Sequence, residues 1–414
     1  MKNKTLFTLL LLTVFGMYSK AQETVNISGF ARTYEGIQFN NGDFGIIQQT
    51  LNLNFEKIGD KVAFKVNPMI YMYNSNSLDF RLREIYLDMY FSNIDIRIGK
   101  QQVVWGKADG VFITDVVSPL NLTEFLLPDF DEIRTGIIST KVDYYVGNST
   151  FEAIWIPQFT PTERPAQGSI WYIQPDFPAP PTFNWNNSEI TPSLENSEIF
   201  LKYSFMGSAI DFDIMGGYTW DDNPAMHVQK LIDPTTQPPT LTGLNITPEY
   251  HRLYLTGGSF STEIKGVILR GEAAYYDSKY FQTEDPLATD ALIQKNYLNH
   301  VIGLDFNIGD VKLSGQFIQK YILDWEIGMT EKETNNMATF LARYDAFRET
   351  LHLEFFSYIG LTDGDALIRP KITYDFEDSF SILLGSNIFV GDEKGQFGQY
   401  GDNSMIYMKI KYNF

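Results

Sequence analysis

The sequence contains no cysteine, and this absence excludes a disulfide framework, a thiolate metal site and a cysteine nucleophile. Basic residues are scarce, because 32 lysines and arginines stand against 51 aspartates and glutamates, for a formal net charge of −19. Nucleic-acid binding needs a basic surface that contacts phosphates, so we expect no nucleic-acid partner. Beyond the N-terminus there is no run of about 18 uninterrupted apolar residues, so no transmembrane helix is predicted.

Motifs of hydrolytic enzymes are missing as well. The sequence has neither G-x-S-x-G nor H-E-x-x-H. Its four histidines, His227, His251, His300 and His352, accompany no metal or triad pattern, although His352 and Glu354 share one face of a predicted strand. A triad assembled from neighbouring strands is therefore the weakest functional hypothesis, and we predict that the chain is not an enzyme.

The N-terminus has the features of a secretory signal. Two lysines precede an apolar run from Leu6 to Met17, and Ser19-Lys20-Ala21 forms a small-x-small cleavage site. Because this run is too short to span a bilayer, residues 1–21 are predicted to be a signal peptide that is removed after secretion across the inner membrane. Residues 22–414 would then form a single domain with a net charge of −22, since three lysines leave with the signal.

Apolar and polar residues alternate through much of the chain. Between Glu84 and Gly99, two alternating runs are joined only by Ser92-Asn93. A period of two predicts strands with one apolar and one polar face, and so short a connection predicts antiparallel pairing. The alternation stops at Trp105-Gly106 and resumes after Arg134. A tight turn at one end and a long loop at the other are typical of an outer-membrane β-barrel.

Similar segments recur from Thr24–Gly36 to Ser404–Phe414. We count about 18, with 16 as the alternative, each near the length of a tilted membrane strand. Short connections such as Gly309-Asp310 alternate with long ones such as Gln158–Asn196. This sorting predicts an all-β fold, a closed antiparallel transmembrane barrel with short periplasmic turns, long extracellular loops and one inserted loop.

The C-terminal segment indicates the partners of such a barrel. Ile406, Met408, Ile410 and Tyr412 share one face with the terminal Phe414. A last strand of this kind resembles the signal that barrel-assembly machinery recognises, whereas in a soluble sandwich it would be an aggregation-prone edge. We therefore expect the outer membrane of a Gram-negative bacterium as the location. The expected partners are its lipid, lipopolysaccharide and the assembly machinery.

In each predicted strand, the residues that alternate with the apolar ones face the lumen. These lumen-facing residues include charges of both signs. Charges at membrane depth are tolerated where they face water or one another. Such a wall either filters solutes by its field or merely pairs its own charges in a wide polar interior, and both interpretations stay open. The candidates for the lumen and its constriction are Arg97, Lys107, Asp109, Asp115, Leu120, Phe125, Asp129, Asp131, Glu132, Arg134, Arg270, Glu272, Arg343 and Asp345.

The loop from Gly106 to Arg134 is the predicted constriction. Its Leu120, Phe125 and neighbouring leucines are too apolar for a solvated loop, so we expect it to fold inward or to cap the pore. Ser118-Pro119 predicts the start of a short helix with proline in its first turn.

Three acids near the end of this loop, Asp129, Asp131 and Glu132, are expected to meet Arg134, Arg97 or Lys107. Carboxylate oxygens also suit a calcium ion, but the spacing differs from that of an EF-hand. We predict no cofactor, and a loop-bound Ca²⁺ is the lesser hypothesis.

The stretches RIGKQQVVWGKADG, DVVSPLNLTEF and PDFDEIR together resemble the core of a family of uncharacterised porin-like outer-membrane barrels. Members of that family have a strand that ends in G-[RK]-Q-x-V-x-W-G, then an N-P-x-[DN] turn and an acidic stretch near an arginine. Ser118 stands here where asparagine is usual. The resemblance implies a barrel with an inserted loop, and proximity to exporters of hydrophobic compounds in some relatives. The matching positions are Gly99, Lys100, Gln101, Val103, Trp105, Gly106, Pro119, Asn121, Leu122 and Arg134.

These patterns predict a porin-like channel for the passive passage of small solutes, narrowed by the 106–134 loop. One alternative is a barrel that transports hydrophobic compounds, with Leu120, Phe125 and Leu127 lining a pocket. A second is a structural barrel with a plugged lumen. A homotrimer is the assembly that wide porins commonly form, and we include it among the predictions. The sequence specifies neither the solute nor the direction of transport.

Overall fold

The computed structural model describes residues 25–73, 77–285, 288 and 290–414. The predicted signal peptide, residues 1–21, lies outside the described residues. Within them, the chain forms the predicted closed antiparallel barrel of 18 strands. None of the described helices is long and apolar enough to cross a membrane.

The barrel wall consists of consecutive strands that each pair with the next. The last strand pairs back onto the first and closes the cylinder, for example through Tyr34 and Lys409. The wall strands are β1 (Asn26–Gln38), β2 (Phe44–Ile58), β3 (Val62–Tyr73), β4 (Leu78–Tyr90), β5 (Ile94–Gln101), β6 (Ile137–Val146), β7 (Ser149–Ile156), β9 (Glu198–Met206), β10 (Asp211–Trp220), β13 (Arg252–Ile264), β14 (Val267–Gln282), β15 (Leu292–Ile308), β16 (Val311–Ile322), β17 (Thr334–Ala346), β18 (Leu351–Gly360), β19 (Asp365–Glu377), β20 (Phe380–Val390) and β21 (Met405–Asn413).

The two faces of the wall follow the predicted parity. On β4, Ile85 and Leu87 are each 37% exposed on the outside, whereas Glu84 and Tyr86 are buried on the lumen side. The apolar outer face suits lipid, and the polar inner face is shielded by the chain that fills the lumen. Pro68 cannot donate to the ladder, and the β3–β4 register shifts beside it.

The connections sort into a short-turn end and a long-loop end of the barrel. At the long-loop end, the segments predicted as irregular loops contain a small sheet of β8 (Pro181–Phe183), β11 (Ala225–Asp233) and β12 (Thr240–Glu249). β11 and β12 form a hairpin, and β8 pairs parallel to β12. Two short 3-10 helices, Trp185–Asn187 and Gly398–Asn403, also lie in long connections.

The alternation in the sequence predicts a loop at Ser278–Asn296, but the connection between β14 and β15 is shorter than that. β14 and β15 continue pairing past a bulge between Tyr276 and Lys279, as far as Gln282 and Leu292. The extra residue of the bulge interrupts the alternation of side chains, which is why the sequence pattern ends there. This hairpin therefore projects beyond the rest of the wall.

Candidate functional site

Residues 102–136, here named the lumen segment, leave the wall after β5 and return to it at β6. Their apolar side chains pack against the inside of the wall in two clusters. Val111, Ile113 and Leu127 join one cluster with residues of β14–β16 and β18–β21. Val103, Trp105 and Val117 join the other, with residues of β6, β7, β9, β10 and β13. The segment therefore folds inward, as its composition predicts, and crosses the lumen.

The start of the lumen segment depends on two residues of the family-like motif. Gly99 has φ +135°, and a Cβ there would lie 2.2 Å from the Ile85 carbonyl oxygen, so only glycine fits where β5 bends. Trp105 is 3% exposed, and its indole N–H donates to Glu152 on β7. The motif thus fixes the point at which the chain turns away from the wall.

Among the described wall residues, Glu272 on β14 makes the largest number of hydrogen bonds to the lumen segment. Its carboxylate accepts hydrogen bonds from the backbone N–H of Lys107, from that of Ala108 at 2.6 Å, and from both the N–H and the hydroxyl of Thr114 at 3.1 and 2.7 Å. Glu272 is 5% exposed. A buried carboxylate is stable only when such donors replace its water, so this side chain determines where residues 107–114 lie.

The Asp109–Gly110 turn is held by a further group of wall residues. Arg270 donates to the Asp109 carboxylate and to Asp305 at 3.0 Å. Gln316 both donates to and accepts from the backbone of Asp109, at 2.6 and 3.1 Å. The Tyr358 hydroxyl donates to the Gly110 carbonyl at 2.7 Å. β14, β16 and β18 therefore hold this turn together.

The far end of the segment is bound by cations of the closing strands. Arg32 on β1 donates to the Glu132 carboxylate at 2.7 and 2.9 Å, and Lys409 on β21 donates to Asp129 at 3.2 Å. Arg369 on β19 donates to the carbonyls of residues 126 and 127, each at 3.0 Å. The segment is thus attached to opposite sides of the barrel.

The acids of the lumen segment have shifted pKa values. Burial opposes the charge on Asp129, but the charges of Lys409 and Arg32 outweigh it and hold the pKa of Asp129 well below its usual range. Burial raises the pKa of Glu124 and of Asp115, although Asp115 accepts a 2.6 Å bond from Arg134. Asp129 therefore stays charged across neutral and mildly acidic pH.

The expected partners of the loop acids need correction. Asp129 and Glu132 meet Arg32 and Lys409, and Asp131 meets Arg83 at 3.3 Å, rather than Arg134, Arg97 or Lys107. The path of the segment carries these acids across the lumen to β1, β21 and β4. Because each carboxylate faces a basic side chain, the arrangement favours ion pairing over a calcium ion.

The helix expected after Ser118-Pro119 does not form. The Asn121 side chain accepts from the Thr123 backbone N–H at 3.1 Å, and Phe125 has φ +54°, outside the helical range. An Asx turn followed by a left-handed residue competes with a helix and replaces it. Phe125 then packs against Tyr400, with ring centroids 4.6 Å apart.

Most of the predicted site residues lie on or against the lumen segment. Lys107 pairs with Asp213 on β10 at 2.8 Å, and Leu120 bridges to Arg134. Three candidates lie nearer the short-turn end and bond to other wall residues instead: Arg97 to Asp88, Arg343 to Glu354, and Asp345 to His352 and Lys312.

Several contacts of the segment fall on wall residues outside the predicted candidates, and two of these residues, Gln316 and Tyr358, hold the Asp109–Gly110 turn. Both lie on the lumen face of their strands, and that parity is the only sequence signal they carry. The alternation of a strand shows which face a side chain lies on, but not its depth in the barrel or the residue that it contacts. It therefore does not distinguish Gln316 and Tyr358 from the other lumen-facing residues of their strands.

Within the described part of the chain, two large chambers lie in the lumen, one on each side of the segment. The lower chamber, toward the short-turn end, encloses about 490 Å³. The upper chamber, toward the long-loop end, encloses about 420 Å³. Gly110 lines both, and Phe356 and Tyr358 line the lower and the upper one respectively. The Asp109–Gly110 turn therefore lies between the chambers.

Comparison with known proteins agrees with this architecture. Residues 71–345 match the family described as "Protein of unknown function (DUF1302)". The chain belongs to this DUF1302 family. No curated protein matches the DUF1302 chain in sequence.

Solved structures of outer-membrane proteins share the fold at low identity. OccAB1 of Acinetobacter baumannii has a TM-score of 0.53 at 10% identity, covering 96% of this chain and 98% of its own. OccK5 (OpdH) of Pseudomonas aeruginosa has a TM-score of 0.52 at 9% identity, covering 94% and 97%. OccK2 (OpdF) of the same organism, solved in complex with glucuronate, has a TM-score of 0.52 at 9% identity. The match covers 94% of this chain and 98% of the OccK2 chain. The DUF1302 protein is thus similar to these barrels in fold.

Proposed function

We propose that this DUF1302 protein is a non-enzymatic, porin-like channel for the passive passage of small solutes, narrowed by the 106–134 loop. We place it in the outer membrane of a Gram-negative bacterium, where residues 22–414 form one barrel domain after removal of the signal peptide 1–21. The observation that carries the proposal is a pair of lumen chambers on the two sides of the lumen segment, with Gly110 in the lining of both. The Gly110–Tyr358 hydrogen bond contributes only about 1 kcal/mol. Because Arg270 and Gln316 also hold this turn, widening the passage requires the whole turn to move.

The lower chamber favours an anionic solute. Lys107, Arg134, Arg343, Arg369 and Lys371 line it, against three acidic side chains. This excess of cations contrasts with the net charge of −19 for the whole chain. A cleft whose lining has an excess of one sign of charge favours solutes of the opposite sign.

The similarity to OccK2, whose structure holds glucuronate, is consistent with a carboxylate as the solute class. We therefore extend the proposal to small carboxylate-bearing solutes. The direction of their movement follows their concentration gradient, because the passage is passive.

A second candidate function is the transport of hydrophobic compounds, and the upper chamber favours it. Its lining includes Ile113, Leu120, Leu255, Ile318 and Met337. Lys320 faces the same chamber and, among the residues that the structure describes, takes no part in the ion pairs of the wall. Asp115, Asp221, Asp222 and Lys279 share this lining, so the chamber is mixed in polarity. Apolar side chains beside the Lys320 cation suit an amphipathic anion better than a sugar.

Ion selectivity in planar bilayers tests the proposal. A salt gradient across the bilayer gives a reversal potential whose sign reports anion or cation preference. We expect anion-selective current steps in the wild type, and a weaker preference in Arg343→Gln, since this variant removes a cation that does not touch the lumen segment. A cation-selective channel would contradict the solute class, and the absence of any current would contradict the channel itself.

Binding of an apolar fluorescent sulfonate separates the second candidate from the first. Transport of hydrophobic compounds predicts saturable binding of the dye that is lost in Lys320→Met, together with little conductance. Conductance without saturable dye binding would leave the solute channel as the better account.

The partners expected from the sequence stay part of the proposal. We propose recognition of β21 by barrel-assembly machinery, contact of the long-loop end with lipopolysaccharide, and assembly as a homotrimer. Mass measurement of the protein in detergent tests the last of these.

A further inference from the structure

A cluster of imidazole and carboxylate groups lies at the long-loop end, outside the lumen. His227 is on β11, Glu249 ends β12, and His251 follows two residues later. The Nε2 atoms of the two histidines are 2.9 Å apart, and His227 Nε2 lies 3.8 Å from Glu249 Oε2. One ligand atom from each of the three residues lies within 4.8 Å of the other two.

We propose that His227, His251 and Glu249 bind one divalent transition-metal ion of the zinc type. Two imidazoles and one carboxylate with an open fourth position are a recurring ligand set for zinc. Imidazole nitrogen also selects such ions over calcium and magnesium, which prefer oxygen.

The distances between the ligand atoms fit the size of the ion. Zinc–nitrogen bonds of about 2.0–2.1 Å in a tetrahedron place two ligand atoms about 3.3 Å apart. The observed separations of 2.9 and 3.8 Å lie on either side of that value. Shifts of a few tenths of an ångström in exposed side chains would therefore complete the coordination.

Neighbouring groups orient the ligands as they do in metal sites. His227 Nδ1 lies 3.0 Å from the Asp290 carboxylate, so that Nδ1 carries the proton and the Nε2 lone pair faces the cluster. Asn187 donates to Glu249 Oε1 at 2.9 Å and leaves Oε2 toward His227. The His251 ring lies against Tyr280, with centroids 4.0 Å apart.

Without a metal, the same geometry is an N–H···N hydrogen bond between two neutral imidazoles. That bond accounts for the 2.9 Å contact, but it leaves the Glu249 oxygen facing an imidazole nitrogen at 3.8 Å with no proton between them. A bound cation explains the positions of both imidazoles and of the Glu249 carboxylate, whereas the hydrogen bond explains only the imidazoles. We therefore prefer the metal site.

Metal binding would join two separate connections of the chain. The ligands belong to the β11–β12 hairpin and its exit, whereas Asp290 belongs to the β14–β15 connection and also accepts from the Val228 N–H at 2.9 Å. A bound ion would tighten this junction and hold the hairpin at the mouth of the barrel.

Titration of the full-length protein in detergent with ZnCl2, followed by calorimetry, tests the proposal. We expect one ion per chain. His227→Ala or His251→Ala should weaken binding by at least about 100-fold, and Asp290→Asn by about 10–100-fold, the range for groups that orient ligands. His300→Gln is the matched control, because His300 lies on β15 away from the cluster, and it should bind as the wild type does.

Two further measurements keep the test independent of folding. Heat-dependent gel migration shows whether each variant retains its barrel, and Co²⁺ should give the intense visible absorption of a four-coordinate site only when both histidines are present. If the wild type binds no zinc, or if His227→Ala and His251→Ala bind as well as His300→Gln does, the cluster is a hydrogen-bonded pair and the proposal is wrong.

Discussion

Replacing Glu272 by glutamine should release the lumen segment without unfolding the barrel. The carboxylate accepts through both oxygens: Oε1 from the N–H groups of Lys107 and Ala108, and Oε2 from the N–H and hydroxyl of Thr114. The amide of Glu272→Gln keeps one acceptor oxygen. Its NH₂ group replaces the second oxygen and faces the two donors that this oxygen accepted from. At least two charge-assisted hydrogen bonds are therefore lost.

The size of the effect follows from those two bonds. A hydrogen bond to a charged group contributes about 1.5–3 kcal/mol, so their loss costs at least about 3 kcal/mol. Because 1.4 kcal/mol corresponds to a factor of ten, the population of the detached segment should rise by about 100-fold. The wall strands keep their ladder hydrogen bonds, since β14 itself is unchanged.

Single-channel recordings and limited trypsin digestion measure this release. We expect larger or more frequent current steps in Glu272→Gln and faster cleavage after Lys107, which becomes accessible when the segment detaches. Glu198→Gln is the matched control: Glu198 is equally buried on the wall, at 5% exposed, but bonds to Thr219 and Trp220 rather than to the segment. Equal conductance and equal cleavage in both variants would show that Glu272 does not anchor the segment.

Three further changes test other contacts of the segment. Arg134→Met leaves the buried Asp115 carboxylate without its cation and should destabilise the segment by about 3–5 kcal/mol, measurable as faster proteolysis at neutral pH. The pKa of Asp129 is lowered in the folded chain, so its stabilisation is complete above its ordinary value of about 4 and is lost as the pH falls below it. Conductance should accordingly be steady from pH 7 to pH 5 and rise in stronger acid, and Asp129→Asn should reduce that rise. Tyr358→Phe removes the hydroxyl that bonds Gly110 and should increase the open probability by about fivefold, the equivalent of about 1 kcal/mol; an unchanged open probability would exclude that contact as the gate.

The wall could be predicted from the sequence because each strand faces lipid on one side and polar chain on the other. This contrast repeats every two residues, and it correctly assigns Ile85 outward and Glu84 inward. The apolar content around Leu120 and Phe125 likewise predicts that the inserted loop folds inward. Both inferences depend on local composition alone.

The remaining features depend on contacts between distant parts of the chain. Parity places Arg32 on the lumen face but does not predict that it meets Glu132, 100 residues away. The sheet at the long-loop end also escaped prediction, because β8 is short and pairs with β12 from another connection. The His227–His251 contact forms only when that sheet forms, so no sequence motif predicts it.

The position of the Asp129 anchor links docking of the lumen segment to closure of the barrel. Asp129 contacts Arg32 on the first strand and Lys409 on the last, and these cations become neighbours only when β1 pairs with β21. Before closure, one of these two cations would be out of reach of Asp129, and a half-buried carboxylate that lacks part of its charge compensation is less stable in the docked position. Full docking of the segment should therefore follow closure, so that a narrowed lumen exists only in a barrel whose ends have already joined.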